Sequence, residues 1–81
     1  MNNTNQAKII KNIKLLRTSH NLTQADLAKM LNLSFQQISN LENGRRNLTL
    51  EQALLINKKF GVSIDWLVGI RNDIIKKEGN L

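Results

Sequence analysis

The chain contains no cysteine, no proline and no tyrosine, and its aromatic side chains are Phe35, Phe60 and Trp66. Without cysteine there can be no disulfide, no thiolate zinc site and no cysteine nucleophile, which fits a reducing compartment. Without proline, helices must be stopped by glycine or asparagine. No apolar run approaches the roughly 18 residues of a membrane span. The opening "MNNTNQ" has neither a charged region nor an apolar one, so it does not read as a signal peptide and is expected to be a disordered polar tail over residues 1–6. No glycine-rich phosphate loop, metal-ligand cluster or nucleophile–base pair is present. The expectation is therefore no enzyme, no cofactor, no membrane partner and no small-molecule ligand. His20 stands alone and reads as an imidazole suited to a helix C-terminus rather than as a metal or catalytic group.

What is present is positive charge. Twelve basic residues face six acidic ones, a net charge of +6. The imbalance is concentrated in residues 1–48, which hold seven basic residues against two acidic; the remainder holds five against four. A polyanionic partner would meet the N-terminal half. Lys14 and Lys29 read as solubilising charges.

Apolar residues recur at helical spacing: Ile9, Ile13 and Leu16; Leu27, Ala28 and Leu31; Ile38 and Leu41; Leu50, Leu54 and Leu55; Ile64, Leu67 and Val68. Thr23, Ser34, Thr49 and Ser63 each precede one of these segments and can cap it. Asp26, Gln37 and Gln52 stand three residues on, where a side chain reaches back to complete a capping box. Asn43-Gly44, Gly61 and Gly69 supply stop signals. The chain thus predicts an all-α domain of five helices at about 7–19, 23–31, 34–42, 49–59 and 63–68. Residues 71–81 are expected to be a C-terminal tail or a short helix around Ile74 and Ile75.

Helices two and three are separated only by about Asn32 and Leu33. So short a turn needs a residue tolerant of positive φ, and asparagine is one. At 100° per residue, Ile38 and Leu41 face the core, with Phe35 and Glu42 flanking them. Gln36, Asn40 and Asn43 point away, and Gln37 and Ser39 lie at the sides. A carboxamide offers a donor and an acceptor in one plane, which matches the N6 and N7 edge of adenine in the major groove. A face meeting only water more commonly carries lysine, glutamate or arginine.

The stretch "TQADLAKMLNLSFQQISNLENG" followed by "GVSIDWLVG" resembles the phage λ repressor/Cro-like (Xre) family of helix-turn-helix DNA-binding regulators. The likeness runs from about Ile9 to Gly69, some three-quarters of the chain. It includes the apolar positions Leu27, Leu31, Leu33, Ile38 and Leu41 and the small Ala28, with Asn32 standing where the family has glycine. The resemblance implies a compact five-helix DNA-binding domain over residues 7–70. It implies that Gln24 meets a phosphate and that Thr23, which caps the same helix, touches phosphate as well. Gln36, Gln37 and Asn40 fall at base-reading positions, with Gln37 shared with the cap; Ser34 lies at the helix N-terminus, where free N–H groups favour a phosphate, and Asn43 joins the DNA-facing set. Phe35 departs from the family's polar residue and is placed either against thymine methyl groups or turned inward. Arg45, Arg46 and Asn47 would grip the backbone. Arg17 and Glu42 match a partly buried ion pair joining helix one to helix three.

The function implied is a cytoplasmic, sequence-specific regulator of transcription, in first place a repressor. It would act as a homodimer on an inverted repeat in double-stranded DNA. The resemblance places dimer contacts in the C-terminal region, at Ile64, Trp66, Leu67, Ile70 and Ile74, although tryptophan at helical spacing also suits a core. An antitoxin or restriction–modification controller, with a protein partner, is the open alternative. The dozen residues after Gly69 are short for an antitoxin's C-terminal arm.

Overall fold

A computed structural model describes residues 3–70, in which five helices follow in order: α1 Asn3–Ser19, α2 Gln24–Met30, α3 Phe35–Glu42, α4 Leu50–Phe60 and α5 Ile64–Leu67. The expected turn around Ile74 and Ile75 lies outside the described residues. Four side-chain caps start α2 to α5. Thr23, Ser34, Thr49 and Ser63 accept from the backbone N–H of Asp26, Gln37, Gln52 and Trp66. In the first three the side chain at that position accepts in return from the cap N–H, at 2.9–3.0 Å. Each reciprocal pair satisfies two amide donors that a helix start would leave open.

Four of the five C-termini close alike; α4 instead ends at the left-handed Gly61, whose N–H donates to Asn57 O at 2.9 Å. Asn21, Asn32, Gly44 and Gly69 adopt left-handed backbone at φ 58°, 59°, 79° and 89°. Directly after each, an N–H reaches back five residues: Leu22 to Arg17 O, Leu33 to Ala28 O, Arg45 to Asn40 O and Ile70 to Asp65 O, at 2.8–2.9 Å. This is the Schellman closure, in which the residue after the left-handed one usually packs against the helix it ends. Leu22 and Leu33 do so at the core's edge. After α3 the same position holds the exposed Arg45, so the closure projects a cation instead.

The core draws on every helix: Ile13 and Leu16, Leu27, Ala28 and Leu31, Ile38 and Leu41, Ala53, Ile56 and Phe60, and Val62, Trp66 and Leu67. Trp66 and Leu67 are 3% and 0% exposed. They fill the interior of the single chain, which corrects their placement at a dimer interface. Asn12 Nδ2 donates to Trp66 O at 2.9 Å and fixes α5 to α1. The His20 ring binds Leu16 O through Nδ1 at 2.9 Å and stands edge-on to Phe60 with centroids 4.9 Å apart.

Helix α1 begins at Asn3, so residues 3–6 are helical and not part of a disordered tail. Gln6 supplies a reason: its Nε2 donates to Asn47 Oδ1 at 3.0 Å and to Gly44 O at 3.4 Å, tying the first turns of α1 to the segment that follows α3.

The first and third helices are joined through Arg17 and Glu42. Arg17 Nε donates to Glu42 Oε2 at 2.7 Å and Nη2 to Oε1 at 3.1 Å, a two-pronged pair. Nη1 donates to Leu22 O at 3.0 Å. Gln24 Nε2 adds a bond to Glu42 Oε1 at 3.0 Å. The glutamate side chain is 2% exposed and the arginine side chain 19%. A buried carboxylate stripped of its cation is costly, and matched removal of both charges is mild. Arg17→Met should therefore lower stability by about 3–5 kcal/mol in urea unfolding, and the Arg17→Met/Glu42→Met double variant should regain most of the loss. Equal losses in the single and double variants would mean that the pair contributes nothing as a pair.

The caps yield a second expectation. The backbone and hydroxyl hydrogen bonds from Thr23, helped by the nearby Lys29 charge, hold the Asp26 carboxyl below its ordinary value of 3.8. A group with a depressed folded-state pKa contributes stability above its unfolded pKa and loses it as pH falls through the folded one. The stability difference between wild type and Asp26→Ala should thus be constant at neutral and mildly acidic pH and shrink below about 3.8. Thr23→Ala should cost about 1 kcal/mol. Denaturant midpoints from pH 7 to pH 2 check both.

Candidate nucleic-acid interface

Three residues, Leu31 to Leu33, turn the chain from the end of α2 to the Ser34 cap of α3, with Asn32 at φ 59°. Ile38, Leu41 and Glu42 of α3 are buried, at 0%, 2% and 3% exposure. They lock one side of the helix against α1 and α2. Gln36 and Asn43 are exposed on the other side, with Asn40 half-exposed beside them, Phe35 exposed at the flank and Ser39 half-exposed at the edge.

On this face the carboxamides are organised. Gln36 Nε2 donates to Asn40 Oδ1 at 3.2 Å, one helical turn on. That bond leaves Gln36 Oε1 as an open acceptor and Asn40 Nδ2 as an open donor. Asn43 Nδ2 leans back to Ser39 Oγ at 3.4 Å. Gln37 is used differently: its Oε1 accepts from the Ser34 N–H at 2.9 Å, while Ser34 Oγ accepts from the Gln37 N–H at 3.1 Å. The carboxamide oxygen of Gln37 and the hydroxyl of Ser34 are therefore occupied by the cap.

Phe35 is 55% exposed, which places it on the outward surface rather than turned inward. Thr23 is exposed and Gln24 half-buried at the start of α2. One N–H of the Gln24 amide is taken by Glu42, and its second N–H and its oxygen remain open.

Past α3 the three candidate backbone-gripping residues part company. Arg45 is exposed. Asn47 is exposed but its Oδ1 accepts from Gln6. Arg46 is half-buried beside a cleft of about 270 Å³ lined also by Gln6, Ile9, Ile10 and Leu48. Its Nε is buried with no hydrogen-bond partner among the described residues. Gln6 was not a sequence candidate. The helical register Gln6–Ile9–Ile13 would have extended α1 back to it, since residues three and four apart share a face.

The expected interface positions at the C-terminal end divide as well. With Trp66 and Leu67 in the core, Ile70 is 72% exposed and Ile64 packs partly buried against the core. Ile74 lies outside the described residues. Among the described residues no helix is long and apolar enough to cross a membrane, and no group of three or more histidine, cysteine or acidic side chains could hold a metal ion.

The geometry has counterparts in known proteins. A helix-turn-helix family model matches residues 13–67. An HTH-type transcriptional regulator of Methanocaldococcus jannaschii is 47% identical over 53 residues, 65% of this chain and 80% of that protein. The antitoxin PezA of Streptococcus pneumoniae is 41% identical over 59 residues, and repressor protein CI of Enterobacteria phage phi80 is 40% identical over 62. These alignments take in 73% and 76% of this chain but only 37% and 26% of the two relatives. A transcriptional regulator from Listeria innocua shares the fold, with a TM-score of 0.73 over 83% of this chain and 63% of that one, at 24% identity. The capped helix pair, its short turn and the family match over residues 13–67 lead to one conclusion: the chain belongs to the λ-repressor-like (Xre) helix-turn-helix family of DNA-binding transcriptional regulators.

Proposed function

We propose that the protein is a sequence-specific repressor that binds an inverted-repeat operator in double-stranded DNA as a homodimer, with α3 in the major groove. The observation that carries the reading is the Gln36–Asn40 pair at 3.2 Å on the face of α3 opposite Ile38 and Leu41. Its open acceptor and donor suit an adenine edge, where N6–H donates and N7 accepts. Gln24, with its free N–H, reaches a phosphate beside α2. The exposed Arg45 neutralises another, and Thr23 and Ser34 lie at helix starts where amide dipoles favour anions. Phosphate contacts supply most of the affinity and base contacts the discrimination. Two copies would place their α3 helices about 34–36 Å apart, one turn of duplex. The exposed Ile70 is the apolar residue best placed to join them. Occupying the operator excludes RNA polymerase, and action on transcription sets the protein in the cytoplasm.

A second reading has a specific support. The 41% identity to the antitoxin PezA favours a DNA-binding antitoxin, in which the same interface works beside a protein partner.

Selection of bound sites from a random duplex pool at two salt concentrations tests the proposal. An enriched inverted repeat with half-sites one helical turn apart supports the dimeric repressor. Salt-sensitive binding with no enriched sequence reduces the basic half to phosphate affinity alone and turns attention to the protein partner. On the enriched site, Gln36→Ala should lose about 1–3 kcal/mol of discrimination against a wrong base while non-specific affinity holds. Arg45→Ala should weaken all sequences alike and lower the slope of log K against log salt by about one. Arg46→Ala, starting from a half-buried side chain, should change that slope less. A Gln36→Ala variant with unchanged site preference would remove the recognition face from where we place it.

A further inference from the structure

Phe35 has no structural duty that accounts for it. The other two aromatic side chains, Phe60 and Trp66, are 8% and 3% exposed and belong to the core. Phe35 is 55% exposed, and it is the only large apolar side chain exposed on α2 or α3. It occupies the first residue of α3, directly after the Ser34 cap, where the reciprocal capping bonds are made by Ser34 and Gln37. Phenylalanine is also a weaker helix former than alanine or the straight-chain polar residues. Neither core packing, capping nor propensity selects it, and leaving its ring in water forgoes the free energy its burial would bring. The other exposed large apolar residues, Leu15, Leu50, Leu54 and Ile70, lie on α1, on α4 and after α5.

The ring stands 100° around the helix from Gln36, whose carboxamide is pre-set by its bond to Asn40. A helix placed with Gln36 on a base edge therefore carries the Phe35 ring along the same groove. The apolar group exposed on the floor of the major groove is the C5-methyl of thymine, and phenylalanine is among the side chains that meet it. Deepening the repressor reading and resting on it, we infer that Phe35 is a specificity-determining residue that selects a thymine flanking the base read by Gln36, through its C5-methyl group. Hydrogen bonding plays no part in this contact. It discriminates thymine from uracil, which pairs identically and lacks only the methyl, and it disfavours cytosine at the same position.

The test takes the site enriched from the random pool and replaces each thymine of a half-site, one at a time, by deoxyuridine. Binding is followed by fluorescence anisotropy at two salt concentrations. For the wild-type protein one replacement should weaken binding about fourfold, the value for one buried methyl group, and the others should be silent. Phe35→Ala should bind the thymine and uracil sites equally, and Phe35→Leu should keep part of the difference. The salt slope should be the same for wild type and both variants, because the ring neutralises no phosphate. Being exposed, Phe35 can be replaced without opening the core, and unchanged thermal unfolding of the variants checks this. A half-site without thymine, replacements that are all silent, or a thymine–uracil ratio that survives in Phe35→Ala would each overturn the inference and leave the repressor reading intact. A pool that yields no enriched sequence overturns both.

Discussion

A single buried carboxylate organises this domain. Glu42 sits at the last turn of α3, all but closed to water, and receives both prongs of Arg17 from α1 and the amide of Gln24 from α2. Three helices thus meet on two oxygens. An ion so deeply placed has to be matched closely in geometry to offset its desolvation. The match restricts how α3 can rotate or slide, since a turn of the helix would withdraw Glu42 from partners that cannot follow. The orientation of the outward face is set from the inside.

Gln24 gives this clamp a surface connection. Its amide carries two N–H groups, one spent on Glu42 and one open at the molecular surface. A phosphate bound there would be linked by one planar group to the carboxylate that positions α3. Backbone contact and base reading would then share a hydrogen-bond network, and such networks respond to their members jointly rather than additively. On the other flank, Gln6 holds Asn47 and the carbonyl of Gly44, so the segment bearing Arg45 is steadied from α1 as well.

Much of the architecture was legible because its signals are local. Thr23, Ser34, Thr49 and Ser63 announce four helix starts, and the hydroxyl of each accepts the expected N–H. Asn32 was readable as a left-handed turn residue, because so short a connection leaves few alternatives. Asn21 does the same after α1 and went unread, since the longer gap before Thr23 placed no such demand. The beginning of α1 was missed because its opening residues are polar, and the contacts of Gln6 at separations of 38 and 41 residues leave no trace in local pattern. Tertiary context likewise decided Trp66: helical spacing suits a core and an interface equally, and only packing against α1 distinguishes them. Within the candidate interface, residue types and their face could be read along the chain. The pairing of Gln36 with Asn40, and the partial burial of Arg46, required three dimensions.

The residues that fold α3 and those that meet solvent form two sets without a common member: Ile38, Leu41 and Glu42 buried, and Phe35, Gln36, Asn40 and Asn43 wholly or partly exposed. Substitutions in the second set carry little penalty in folding, so they can accumulate in a lineage without first passing through an unstable protein. A duplicated copy of this chain could drift to a new target site by a handful of surface changes. Its clamp, caps and core would stay as they are, and the family likeness would remain visible long after the two copies had ceased to compete for the same DNA.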